Sequence, residues 1–165
     1  MRSPHCKPAA LATLCVMVAL CVGSVTDAGA QDGSEPSAAT LEGTWRVEIT
    51  LRNCATGDPV GTSFPALATF ARGGTMTTSD GGTSPAARGA GHGVWWRRQG
   101  RSFEATTEAF LFSANVRSGT QRLVQQIELD TSGMEFEARV SSSVINTTGQ
   151  VTFTGCATSV GRRLD

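Results

Sequence analysis

The stretch EGTWRVEITLRNC, residues 42–54, alternates apolar and polar side chains. Trp45, Val47, Ile49 and Leu51 fall on one face, and Thr44, Arg46, Glu48, Thr50 and Arg52 on the other. A period of two over this length predicts a β-strand with one side turned to a core. Its last residue, Cys54, has no cysteine near it in sequence; the next is Cys156.

The same pattern recurs to the end of the chain. SFPALATFAR (63–72) places Phe64, Ala66, Ala68 and Phe70 on one face, and Gly73-Gly74 turns it into TMTTS (75–79). HGVWWRR (92–98) turns at Gln99-Gly100 into RSFEATTEAFLFSA (101–114), and NVRSG (115–119) reads as the next turn. TQRLVQQIELD (120–130), MEFEARVSS (134–142) and QVTFTGCATSVGRR (150–163) follow, separated by the turns TSG (131–133) and NTTG (146–149). Phe103 cannot share a face with Phe110 and Phe112 unless one residue is extra, which predicts a β-bulge near 106–109. No amphipathic helix follows residue 42. The prediction is therefore all-β: about eight sequential antiparallel strands, which close into an up-and-down barrel and so remove exposed edges. One connection departs from the tight turns. DGGTSPAARGAGHG (80–93) is long, rich in Gly, Ala and Pro, and reads as a tether or as a lid at the barrel mouth.

Closure brings the first and last strands together. By parity Cys54 belongs with Arg46, Glu48 and Arg52, and Cys156 with Thr152 and Thr154, so both face outward on neighbouring strands. A Cys54–Cys156 disulfide at the seam is expected, and it is structural in kind: the loop it closes is far too long for a redox Cys-x-x-Cys pair.

The N-terminal part differs in kind. Arg2 and Lys7 precede the uncharged run ALATLCVMVALCVGSV (10–25), and Ala28-Gly29-Ala30 forms a small-x-small cleavage site. This is the layout of a secretory signal peptide over residues 1–30, too short for a membrane span of about 20 residues. Cys15 and Cys21 each follow a leucine, which disfavours lipidation. Residues 31–41, QDGSEPSAATL, are polar and small and read as a disordered leader, so the barrel domain is assigned to 42–165. The expected location is secreted or periplasmic, where two remaining cysteines pair. Beyond residue 30 the 12 basic side chains are all arginine and are balanced by 13 acidic ones. Only WWRRQGR (95–101) is locally basic, so a nucleic-acid partner is not expected, and no membrane span remains after signal cleavage.

Gly43-Thr44-Trp45 at the head of eight meandering strands in an exported chain resembles the calycin superfamily, lipocalins in particular. In that family a Gly-x-Trp lies near the closed end of the barrel, and an arginine from the last strand covers the tryptophan. The resemblance implies that Trp45 is the base tryptophan and that Arg162 or Arg163 is its cover. It also implies a barrel interior that takes a small hydrophobic molecule. Avidins share Gly-Thr-Trp, but their biotin pockets use a tyrosine, and this chain has none.

On this reading the inner face offers Phe64, Phe70, Phe103, Gln125, Ile127, Phe136 and Phe153 as ligand-binding candidates. His92 and Trp95 are placed at the mouth or lid. Small inward residues (Ala66, Ala68, Ala105, Ala138, Gly155) leave room for a ligand; the opposing reading is a barrel packed solid by its phenylalanines, acting as a structural or protein-interaction module. A third reading is an enzyme on a hydrophobic substrate, for which His92 and Gln125 are the only candidates. No catalytic residue is assigned, because no Gly-x-Ser-x-Gly, phosphate loop or His-Glu-x-x-His occurs. No metal site or cofactor is expected either, since His92 is the only histidine beyond the signal.

Overall fold

A computed structural model describes residues 40–164. The expected signal peptide, residues 1–30, and most of the expected leader lie outside the described residues. Eight strands run in order: β1 (Gly43–Arg52), β2 (Phe64–Phe70), β3 (Thr75–Asp80), β4 (Gly91–Gln99), β5 (Ser102–Ser113), β6 (Val116–Leu129), β7 (Glu135–Asn146) and β8 (Val151–Arg163). Each pairs antiparallel with the next, and β8 returns to β1, so the sheet is a closed up-and-down barrel. The predicted fold class is the observed one.

The alternation explains the packing. Trp45, Val47, Ala66, Ala68, Phe70, Met76, Phe103, Ala105, Ile127, Leu129, Phe136 and Ala138 point inward and are buried. The outward positions carry ion pairs such as Arg98–Glu104 and Arg162–Glu135. An apolar inside and a charged outside are the reverse of a barrel whose wall faces lipid.

The two ends differ. At the base, the rings of Trp45, Phe136, Phe70, Trp95 and Phe103 meet in sequence, with centroids 4.9–6.2 Å apart. Trp45 is fully buried and donates its indole N–H to the Leu41 carbonyl at 3.0 Å. Arg163 lies over the Trp45 ring at 4.3 Å. Its guanidinium also donates to the carbonyls of Thr40, Glu42 and Gly133. Gly43 is required here twice over. Its φ is +129°, and a side chain on it would strike the Arg163 guanidinium. Gly161 is needed for a related reason, because the Phe136 ring occupies the place a side chain would take.

At the mouth, the Cys54–Cys156 disulfide, with a Cα separation of 5.3 Å, joins the turn just after β1 to β8; Cys54 lies two residues past the end of β1 rather than in it. Cys156 is in phase with the outward Thr158 and Val160, as parity requires.

Four local expectations need correction. Residues 40 and 41 are not leader: Leu41 is fully buried and is part of the core. The inward phase Phe103, Ala105, Thr107, Ala109 continues without a bulge at 106–109, and the register shifts instead at Leu111/Phe112. Phe110 is consequently outward and 56% exposed, under the Arg117 guanidinium. The turn expected at 115–119 is only Ala114-Asn115, both with positive φ, and Val116 already belongs to β6. The 80–93 loop, for its part, is tied down. Gly89 N–H donates to the Phe110 carbonyl, and Phe112 N–H to the Ala87 carbonyl, so its far end pairs with β5.

Two substitutions test the role of the base arginine. Arg163→Ala removes a partly buried cation–π contact and three hydrogen bonds from a charged donor, and should cost about 3 kcal/mol in urea denaturation. Arg162→Ala breaks only the exposed pair with Glu135, 3.1 Å apart, and should cost less than about 1 kcal/mol.

The Asp130 carboxylate orders the base turn beside Gly133. It accepts hydrogen bonds from the Ser132 hydroxyl and from the amides of Glu135, Ser132 and Met134, and these lower its pKa from 3.8 to about 2. A depressed carboxylate stabilises the fold above its unfolded pKa and loses that effect as pH falls through the folded value. The stability gap between the wild type and Asp130→Asn should therefore be full at pH 6, shrink from pH 4 downward, and close only below pH 2.

Candidate functional site

Above the aromatic floor the barrel is not filled. A cavity of about 280 Å³ opens toward the mouth, with Phe70 and Phe136 at its bottom. Its origin is legible strand by strand. The inward column of β8 is Gly155, Ala157, Ser159 and Gly161, and that of β2 above Phe70 is Ala68 and Ala66. Two columns of small residues on either side of β1 leave space that the larger Val47, Ile49 and Leu51 do not fill. Leu123, Val140, Phe64 and Phe153 complete the apolar wall.

The opposite rim is polar. Arg88, in the 81–90 connection, reaches back into the mouth and is 8% exposed. It meets the Asp80 carboxylate at 2.7 Å, and its Nε donates to the Gln121 side-chain oxygen at 2.6 Å. Gln121 donates in turn to the Ser142 hydroxyl at 3.2 Å. These linked side chains cross from the end of β3 to β6 and β7 and brace the mouth. The connection is thus an ordered rim element rather than a free tether.

The residues expected from sequence to form the site distribute unevenly. Phe70, Phe103, Ile127 and Phe136 are buried; Phe70 and Phe136 form the floor, while Phe103 and Ile127 belong to the packed base beneath it. Phe64 and Gln125 line the cavity. Phe153 also lines it, but at the rim, with 60% of its surface exposed. Trp95 is not at the mouth. Its indole N–H donates to the Ala71 carbonyl in the base turn, and its ring packs on Phe70 and Phe103. His92 is not at the mouth either. It lies within β4, opposite Thr77 and Glu108, and is exposed on the outer surface. His92 and Gln125 therefore stand on opposite sides of the sheet and form no joint catalytic site. Of the two arginines that could cover Trp45, Arg163 takes the role and Arg162 faces out to Glu135.

Arg88, Asp80, Gln121 and Ser159 belong to the site although sequence reasoning does not single them out. Two signals point to three of them. Arg88 is the one charged residue in GGTSPAARGAG (81–91), and Gln121 and Ser159 continue the inward parity of Gln125 and Phe153. Among the described residues, no three of His, Cys, Asp and Glu cluster where they could hold a metal ion. The chain matches no protein-family model and no curated protein at significant similarity.

The buried pair gives a direct test. Arg88→Ala leaves the Asp80 carboxylate, 14% exposed, without its ionic partner, held only by the Gly82 and Thr83 amides, and should destabilise the protein by about 3 kcal/mol. Replacing both at once, Arg88→Met with Asp80→Leu, should recover part of that loss in the same denaturation assay; the remainder is the acceptor of the Gly82 and Thr83 amides, lost with Asp80.

Proposed function

We propose that this chain is an exported, lipocalin-like barrel that binds a small apolar or amphipathic molecule reversibly in the open half of its interior, without chemical conversion. The observation that carries the reading is the apolar cavity of about 280 Å³ above a packed aromatic floor. Its size is at the lower end of ligand pockets, and its lining is mostly apolar with a few convergent polar groups, as such pockets are. Affinity would come from buried apolar area at about 25 cal/mol per Å². The lipocalin likeness is supported by the base: Gly43 at a positive φ, Trp45 buried, and Arg163 stacked on it. Export is supported by the signal-like residues 1–30 and by the disulfide, which persists in an oxidising compartment such as the periplasm or the exterior.

A second reading is a protein-interaction module working through its mouth. What favours it is apolar surface left uncovered there: Phe110, Val116, Val151 and Phe153 are each more than half exposed.

Native mass spectrometry separates the two. Protein exported to an oxidising compartment should have a mass that begins near Gln31 and carry a small adduct that denaturation releases. Ala157→Trp, which puts an indole into the cavity from β8, should abolish the adduct while leaving a cooperative unfolding transition. A mass free of adduct, with no uptake of hydrophobic dyes by the wild type, would transfer the assignment to the interaction module.

A further inference from the structure

The polar groups on the cavity wall indicate what kind of molecule belongs there, provided the ligand-binding reading holds. Ser159 is 4% exposed, lines the cavity, and its hydroxyl has no hydrogen-bond partner among the described residues. The Thr78 hydroxyl, on the β3 side of the same cavity, is in the same state. Buried polar groups in folded proteins are nearly always paired; of the three unpaired hydroxyls among the described residues, those of Ser159 and Thr78 belong to residues that line the cavity, and that of Thr107 lies away from it. Gln125 adds an amide on the wall that carries Ser159. By register it stands level with Val140 on β7 and Ala157 on β8, and Ala157 is the inward neighbour of Ser159.

The charges at the cavity are different, because they are already matched. The Arg88 guanidinium is met by Asp80 at 2.7 Å and by Gln121 at 2.6 Å, and the two charged side chains are 5% and 14% exposed. Arg52, at the rim, is held toward the outer face by its hydrogen bond to Thr158. An anionic head group brought to Arg88 would shed its water only to sit beside Asp80, a like charge. A cationic group would meet Arg88 with Asp80 already taken. A neutral molecule carrying a hydroxyl, carbonyl or amide faces neither penalty and satisfies groups that are otherwise left unpaired.

We infer that the cavity selects an uncharged molecule with an apolar body and one hydrogen-bonding group, that Ser159 and Gln125 receive that group, and that the Arg88–Asp80 pair makes the mouth unfavourable to carboxylates. The chemistry is that of a small alcohol, ketone or amide rather than of a fatty acid anion.

The experiment is calorimetric titration of the mature, oxidised protein at pH 8 with 1-octanol, octanamide and sodium octanoate, which share one apolar body. The neutral pair should bind at least tenfold more tightly than octanoate. Ser159→Ala and, separately, Gln125→Leu should each weaken 1-octanol roughly threefold to tenfold, the worth of one net hydrogen bond, with the thermal unfolding midpoint confirming a folded protein. Asp80→Asn, which frees the Arg88 charge, should raise octanoate affinity to that of the neutral probes or above. Octanoate binding to the wild type as tightly as 1-octanol would overturn the inference while leaving the ligand-binding reading in place. The same holds if both wall variants, folded, bind 1-octanol unchanged. Failure of all three probes to bind would bring down the ligand-binding reading and this inference with it.

Discussion

The contact on which the rest of the barrel depends is Arg163 over Trp45. Arg163 is the last residue of β8 and Trp45 lies near the start of β1, so one side chain closes the seam at the base. Its donors also gather Thr40 and Glu42 from the approach to β1, and Gly133 from the β6–β7 turn. An ammonium could not do this: the planar guanidinium stacks on a ring while its edge donates in several directions. The demand on Gly43 follows directly, since the space beside Trp45 belongs to the arginine. Gly-x-Trp is thus one half of a lock whose other half lies at the far end of the barrel sequence.

The mouth end of the same seam is held by different means. There β8 carries small residues inward (Gly155, Ala157), and little side-chain packing presses it against β1. Cys54–Cys156 supplies the missing constraint covalently, and closing a separation of 102 residues is worth on the order of 4–5 kcal/mol in the chain-entropy account. The disulfide sits at the hollow end and the aromatic cluster at the filled end. A barrel that leaves half its interior open forfeits packing there, and the covalent link offsets that loss without occupying the cavity.

Period two makes most of this legible in the sequence. It places the strands, sorts inside from outside, pairs the cysteines and lists the inward aromatics. What it cannot supply is height along the barrel axis. Parity says that only one of Trp95 and Trp96 points inward, but strand stagger decides whether that residue is at the mouth or the base, and stagger is set by closure of all eight strands together. Trp95 therefore stands at the opposite end from the one its neighbourhood in sequence suggests. His92 misleads for another reason. The glycines around it look like loop punctuation, yet Gly93 is in a strand because β4 approaches β5 so closely that a side chain would run into the Thr106–Thr107 backbone. Leu41 shares the inward parity of Trp45, Val47 and Ile49, but it ends a polar and small stretch, and its burial and the carbonyl it offers to Trp45 reveal its place.

The polar rim shows why a buried ion pair can be kept where it adds little stability. Replaced by apolar side chains of like volume, Arg88 and Asp80 would make the mouth greasier at no large cost. That would also extend the apolar wall over the edge where Gln121 and Ser142 now sit, and leave their amide and hydroxyl without the network that fixes them. The pair instead holds the 81–90 connection in one position, because Arg88 has only one place to find both its carboxylate and its amide oxygen. An ordered rim defines the cavity's shape before anything enters it, and a site formed in advance loses less entropy on binding. The burial of Arg88 at the mouth thus fixes the entrance to the cavity, with the unpaired hydroxyls of Ser159 and Thr78 on the wall below it.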